Sequence, residues 1–188
     1  MSKIALFGTS ADPPTVGHQA IIRWLSAHYD SVAIWASDNP FKHQQTSLKD
    51  RTNMLQLMID DLKISRNNIN LYKELSYLRS LITLEKAKEI WGAQVEFSLV
   101  IGSDLVNQIP HWYRVEELLE KVQLLIIPRP GYIIEEQNLD RLRILGGRYA
   151  IAQLNPLEVS STEYRRNKNK NAVTQSVANY INRENLYI

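Results

Sequence analysis

Thr15, Gly17 and His18 close the run Gly8-Thr-Ser-Ala-Asp-Pro-Pro-Thr-Val-Gly-His18, and their types and spacing suit the binding of a phosphate. An apolar run at 4–7 precedes this segment, and an apolar-periodic pattern follows it from Ala20. Small, polar, turn-forming residues between two such runs predict a strand, a loop and a helix. The first amides of that helix have no partner inside it and carry partial positive charge, which makes the helix entry a site for an anion. Thr15 and His18 are three residues apart and can turn their side chains to the same anion. The plainer account is that His18 only caps the helix or lies on the surface. Neither GxxxxGK[ST] nor GxGxxG occurs anywhere in the chain.

A second constellation stands far along the chain, at Ser160-Ser-Thr-Glu-Tyr-Arg165. Ser160 and Glu163 have capping-box spacing, so a helix begins here. The hydroxyls of Ser161 and Thr162 and the guanidinium of Arg165 in its first turn would form a second phosphate cradle.

Elements that could hold both segments alternate along the chain. Strands are expected at 4–7, 31–36, 68–72, 95–101 and 123–127, the last of the series. Helices are expected at 17–28, 48–62, 80–90 and 115–121, with Met54, Leu55, Leu57, Met58 and Leu62 as the apolar stripe of the second. Repeated β–α units of this kind imply an α/β fold, a Rossmann-like doubly wound and mostly parallel sheet with helices on both faces. Ligands of such sheets bind beyond the carboxyl ends of the strands, where the strand order switches. The loops after Phe7, Ala36, Ile101 and Ile127 lie at such ends.

The chain has 188 residues, enough for a single domain over 1–188 with a sizeable core, and no linker, repeat or low-complexity tract divides it. With 44% hydrophobic and 22% charged residues it reads as an ordinary globular protein. A net charge of +2 is too small for a nucleic-acid or membrane surface, and the one basic run, 165–170, lacks interleaved aromatics. Absence of cysteine excludes disulfides, zinc–thiolate sites and a thiol nucleophile. No signal-peptide pattern or membrane-length apolar run is present, so a cytoplasmic location is expected. No carboxylate cluster marks a dedicated metal site. A homo-oligomer is compatible with all of this.

Thr15-Val-Gly-His18 and Val159-Ser-Ser-Thr-Glu-Tyr-Arg165 resemble the [HT]-x-G-H and ISSTxIR motifs of one nucleotidyltransferase superfamily, and they stand in the order found there. Ile101-Gly-Ser-Asp-Leu-Val-Asn-Gln-Ile-Pro-His-Trp-Tyr113 resembles the GxDxxxxxxxW segment of the bacterial-type nicotinate mononucleotide adenylyltransferases within it. Arg129-Pro-Gly-Tyr132 matches their RPGY, Arg79-Ser-Leu-Ile-Thr-Leu84 is similar to a stretch ending in Thr-Leu, and the residues after Ala172 are similar to the closing helix. The resemblance covers nearly the whole chain and implies a C-terminal helical segment after the sheet.

The resemblance implies transfer of AMP from ATP to nicotinate mononucleotide, giving deamido-NAD and pyrophosphate in NAD biosynthesis. The residues implied in catalysis are His18, Thr15 and Arg165. Gly8, Thr9, Ser10, Gly17, Gly102, Asp104, Arg129, Ser161 and Thr162 would surround ATP. Gly102 would permit close approach of the nucleotide, and Asp104 would accept ribose hydroxyls or else cap a helix. Trp112, beside Tyr113, would stack on the pyridine ring or else anchor the core. Lys42, after the second strand, would pair with the acceptor phosphate, and Thr83 would meet the ring substituent. Magnesium would enter with ATP, held mainly by phosphate and water.

Three departures from the family pattern stand in or beside the first loop. Ala11 replaces an aromatic residue, Thr9 a second glycine and Thr15 a first histidine. They bear on the substrate more than on the reaction. Nicotinamide mononucleotide and phosphopantetheine are the alternative acceptors, with Trp112 and Tyr113 favouring a pyridine nucleotide. The second motif, SSTEYR, speaks against a cytidylyltransferase. A non-catalytic nucleotide-binding regulator is the alternative from another class, and intact His18 and Arg165 argue against it.

Overall fold

Strands and helices alternate in the computed structural model, which describes residues 1–39, 46–155 and 157–188. Among these the chain forms β1 (Lys3–Thr9), α1 (Val16–His28), β2 (Ser31–Ala36), α2 (Leu48–Asp60), β3 (Ile69–Leu71), α3 (Ser80–Trp91) and β4 (Glu96–Gly102). It continues with α4 (Val115–Lys121), β5 (Gln123–Ile127), α5 (Glu136–Ile144), β6 (Arg148–Ile151), α6 (Ser161–Asn167) and α7 (Gln175–Arg183). The strands lie in the order β3-β2-β1-β4-β5-β6, and every neighbouring pair is parallel. This is the doubly wound order expected, with its switch point between β1 and β4.

Alternation along the central strands explains why both faces are covered. Ile4 and Leu6 face a core made with Phe97, Leu99 and Ile101 of β4, and with Leu81 and Leu84 of α3, Leu118 of α4 and Leu142 of α5. Ala5 and Phe7 face a second core with Ile34, Val100, Leu125, and with Ile22 and Leu25 of α1, Met54, Leu55 and Met58 of α2, and Val177 and Ile181 of α7. Successive side chains of a strand point to opposite faces, so a continuous apolar run is what a doubly covered strand requires.

Three features differ from expectation. The sheet does not end at β5: β6 pairs with it through Leu124↔Tyr149, Leu125↔Ala150 and Ile126↔Ile151. Arg148-Tyr-Ala-Ile151 is an exposed to half-buried edge, so it lacks the apolar run that marks the inner strands. α5, which leads into it, buries only Leu139 and Leu142 and leaves its other apolar residue, Ile144, exposed, which hides its period. β1 also runs on through Gly8 and Thr9, paired with Trp35 and Ala36 of β2. Gly8 is required there, since a Cβ would lie 2.6 Å from the Trp35 ring. No described helix is long and apolar enough to cross a membrane.

Candidate active site

A cavity of about 900 Å³ opens at the carboxyl ends of β1 and β4, at the switch in strand order. The loop between β1 and α1, the residues after β4, the turn after β5 and the entry to α6 supply its walls. Gly8, Thr9, Ser10, Thr15, Gly17, His18, Gly102, Asp104, Arg129, Ser161, Thr162 and Arg165 all line it. Two motifs separated by most of the chain thus open on one space.

His18 is the third residue of α1 and is buried to 7% exposure. Its Nδ1 accepts the backbone N–H of Thr15 at 3.0 Å, and the Thr15 hydroxyl lies 3.0 Å from the same nitrogen. A ring nitrogen that accepts an N–H carries no proton, so the hydrogen-bond pattern assigns the ring proton to Nε2. Nε2 lies 3.0 Å from the Thr9 hydroxyl. The capping role and the site role are therefore one arrangement: capping aims the donor edge of the imidazole. Thr15 is 1% exposed and meets the opposite edge of the ring, so it orients His18 rather than standing beside it before an anion.

Arg165 comes to the same loop from α6. Its Nη1 donates to the Asp12 carbonyl at 2.5 Å and its Nη2 to the Thr162 hydroxyl at 3.2 Å. Ser160 caps α6, its hydroxyl accepting the Glu163 N–H at 3.1 Å. The Ser161 hydroxyl donates to the Pro13 carbonyl at 2.8 Å. A Cβ on Gly17 would come within 3.2 Å of the Val159 side chain, so the helix entry and the second motif are in close contact.

The opposite wall is built on β4 and β5. Gly102 again permits a close approach, because a Cβ would fall 2.3 Å from Asp104 Oδ1 and 3.1 Å from the Arg129 side chain. Asp104 Oδ2 pairs with Arg129 at 3.2 Å, while its Oδ1 is buried with no hydrogen-bond partner. Arg129-Pro-Gly-Tyr132 forms the Pro-Gly turn, with Gly131 at φ 81° and the Tyr132 N–H donating to the Arg129 carbonyl at 3.2 Å. Ser103 locks that turn, accepting the Arg129 N–H at 2.8 Å and donating to the Tyr132 carbonyl at 3.3 Å.

Three expected site residues, Thr83, Trp112 and Tyr113, do not line this cavity, and a fourth cannot be placed against it. Lys42 lies outside the described residues. Thr83 is 2% exposed on α3, and its hydroxyl donates to the Leu75 carbonyl at 3.0 Å, so its side chain is engaged in packing. Trp112 follows a single turn at Ile109–His111 and packs, half-buried, against the core that contains β4. Tyr113 is exposed, with the Arg79 guanidinium 4.1 Å from its ring centre.

Two residues that shape the loop are assigned no role by the sequence, Asp12 within the first run and Arg51 outside any motif. Arg51, on α2, is 2% exposed and donates to three backbone carbonyls: Ser10 at 3.0 Å, Ser37 at 2.6 Å and Thr46 at 3.1 Å. It braces the loops after β1 and β2 against each other. Burial pulls its pKa down, while Asp12 and Asp38 oppose that shift. The one available signal was an arginine within the apolar stripe of a helix. A buried carbonyl left without its donor costs about 1–3 kcal/mol. Arg51→Met is therefore expected to lower unfolding stability by about that amount. An unchanged urea midpoint would show that the brace contributes nothing. Among the described residues no group of three or more His, Asp or Glu side chains is placed to hold a metal ion.

Residues 6–167 match the family model described as cytidylyltransferase-like. A probable nicotinate-nucleotide adenylyltransferase from Synechocystis is 44% identical over 197 residues, covering 98% of each chain. The chain belongs to the nicotinate-nucleotide adenylyltransferase family. A second relative of this adenylyltransferase, from Oceanobacillus iheyensis and described in the same terms, is 31% identical over 72% of each chain. The fold is also that of a Plasmodium falciparum nicotinic acid mononucleotide adenylyltransferase complexed with NaAD. That structure has a TM-score of 0.85, 23% identity, and coverage of 100% of this chain and 98% of that one.

Proposed function

We propose that this adenylyltransferase transfers AMP from ATP to nicotinate mononucleotide within the cavity between β1 and β4, in the cytoplasm. The observation that carries the reading is the convergence of His18 and Arg165 on one space, tied together through the loop at Asp12 and Pro13.

An oxygen of the mononucleotide phosphate attacks the α-phosphorus of ATP. That P–O bond forms as the bond to the bridging oxygen of the β-phosphate breaks, and pyrophosphate leaves with the electron pair. The attacking phosphate is already ionised at neutral pH, so no general base is needed, and the work is positioning and charge stabilisation. His18 would donate from Nε2 to the α-phosphate, with Thr9 yielding its present contact. Arg165, Ser161 and Thr162 would hold the β- and γ-phosphates as charge builds on them. Asp104 Oδ1, an acceptor without a donor, would take a ribose hydroxyl. Magnesium would arrive with the triphosphate and neutralise part of its charge. The Asp12 carboxylate, the nearest to Arg165, is already engaged with protein donors, so the donor set fits an ion held by phosphate and water rather than by a protein cage.

Trp112 lies outside the cavity lining but is only half-buried, and it is proposed to stack on the pyridine ring where the mononucleotide extends past the β4 wall. Trp112→Ala is expected to weaken mononucleotide binding by about 1–3 kcal/mol, the worth of a base stacked on an aromatic side chain, with ATP affinity kept. Equal losses for both ligands would make it a core residue only.

Pyrophosphate release with ATP, magnesium and each acceptor in turn tests the reading. Nicotinate mononucleotide should give the highest kcat/KM. Faster turnover with nicotinamide mononucleotide or phosphopantetheine would reassign the acceptor. Tight ATP binding without release for any acceptor would favour a regulator.

A further inference from the structure

Asp12 joins four segments that are remote in sequence. Its side chain is almost wholly buried. Its Oδ1 accepts the Tyr187 hydroxyl at 2.6 Å, the Thr46 hydroxyl at 2.8 Å and the Thr46 N–H at 3.4 Å. Its Oδ2 lies 4.0 Å from Arg165 Nη1, the same nitrogen that donates to the Asp12 carbonyl. Carboxylate and guanidinium are thus adjacent without being closely paired. That matters, because a carboxylate in full contact would neutralise the charge that Arg165 offers to phosphate.

Tyr187 is half-buried and held by several neighbours. Its carbonyl accepts Lys168 Nζ, whose charge also lies 5.6 Å from the phenol ring centre. Its ring meets Tyr164 edge-on, with centres 6.1 Å apart. Its backbone has φ 59°, in the left-handed region that a bulky side chain adopts only when its surroundings impose it. Across the hydrogen bond, Ala11 has φ 48° and is 1% exposed. Strained backbone therefore stands on both sides of the Tyr187–Asp12 contact. Burial, and then the bond to Asp12, push the phenol pKa well up, so it remains a donor throughout the neutral range.

We propose that Tyr187 is a positioning residue for the nucleotide site, holding the Asp12 carboxylate turned away from Arg165 so that the guanidinium stays available to the departing phosphates. This rests on the adenylyltransferase reading for the identity of those phosphates. It does not rest on that reading for the geometry. Without the hydroxyl, Asp12 Oδ1 loses its shortest donor and the carboxylate is free to swing onto Arg165.

The test reads binding of a non-hydrolysable ATP analogue with magnesium by calorimetry, alongside steady-state kinetics. Tyr187→Phe is expected to raise the analogue Kd and the KM for ATP about tenfold, as for coupled neighbours in one network, with the mononucleotide KM unchanged. In an Arg165→Gln background the same change should have no further effect on Kd. Equal Kd for wild type and Tyr187→Phe, or effects that multiply in the double variant, would overturn the proposal. Thr46→Val, which removes the next donor to Oδ1, should shift Kd in the same direction, and it reads the mechanism even where Tyr187→Phe does not fold. Kd needs no acceptor, so a failure of adenylyl transfer in the wild type is seen separately from a failure of this clamp.

Discussion

Arg165→Ala is expected to reduce kcat/KM for ATP by about 10³-fold, the lower part of the range for an arginine that stabilises charge on transferred phosphate. Two consequences of the structure make the loss large. The guanidinium is the cation α6 brings to the loop at Asp12, and the Asp12 carbonyl and the Thr162 hydroxyl orient its fork at the cavity wall. Lysine offers a point charge without that fork, so Arg165→Lys should recover only a small part of the activity. Steady-state kinetics at saturating mononucleotide separate the two outcomes. Recovery to near wild-type rates by lysine would mean that charge alone matters. Unchanged kinetics in the alanine variant would remove Arg165 from the site.

His18→Ala is expected to lower kcat by about 10²–10³-fold, corresponding to the 2.7–4 kcal/mol lost with one preorganised oxyanion donor. ATP affinity should change much less, because the donor is worth most when negative charge grows at the α-phosphate. Loss of the ring also removes an acceptor from the Thr15 N–H, so a modest drop in stability should accompany the kinetic effect. His18→Asn tests whether one N–H donor at this depth is enough. An alanine variant with near-normal turnover and weakened ATP binding would make His18 a ground-state contact instead.

Much of this architecture is legible in the residues. Apolar runs such as 99–101 and 124–127, too short for a helix and followed by turn residues, fit strands buried on both faces. The loop at 8–18 shows itself by interrupting that pattern with residues that suit turns and anions. What escapes is what has no period or motif. β6 is an edge, so its four residues are not uniformly apolar. Arg51 makes its bonds to carbonyls of three loops, a pattern no local spacing encodes. The Asp12–Tyr187 contact joins residues 175 apart and depends on how α7 packs on the sheet. The tautomer of His18 needed the position of the Thr15 amide. Thr83 shows the converse case: a resemblance singled out a side chain whose hydroxyl the structure engages with Leu75.

The stereochemical course at the α-phosphorus distinguishes direct transfer between the two substrates from transfer through an AMP-protein intermediate. With a single diastereomer of α-thio-ATP and nicotinate mononucleotide, direct attack by the acceptor phosphate in one cavity predicts a dinucleotide inverted at that centre. Retention would mean two successive displacements, with AMP carried on a protein group such as His18, and would contradict the account.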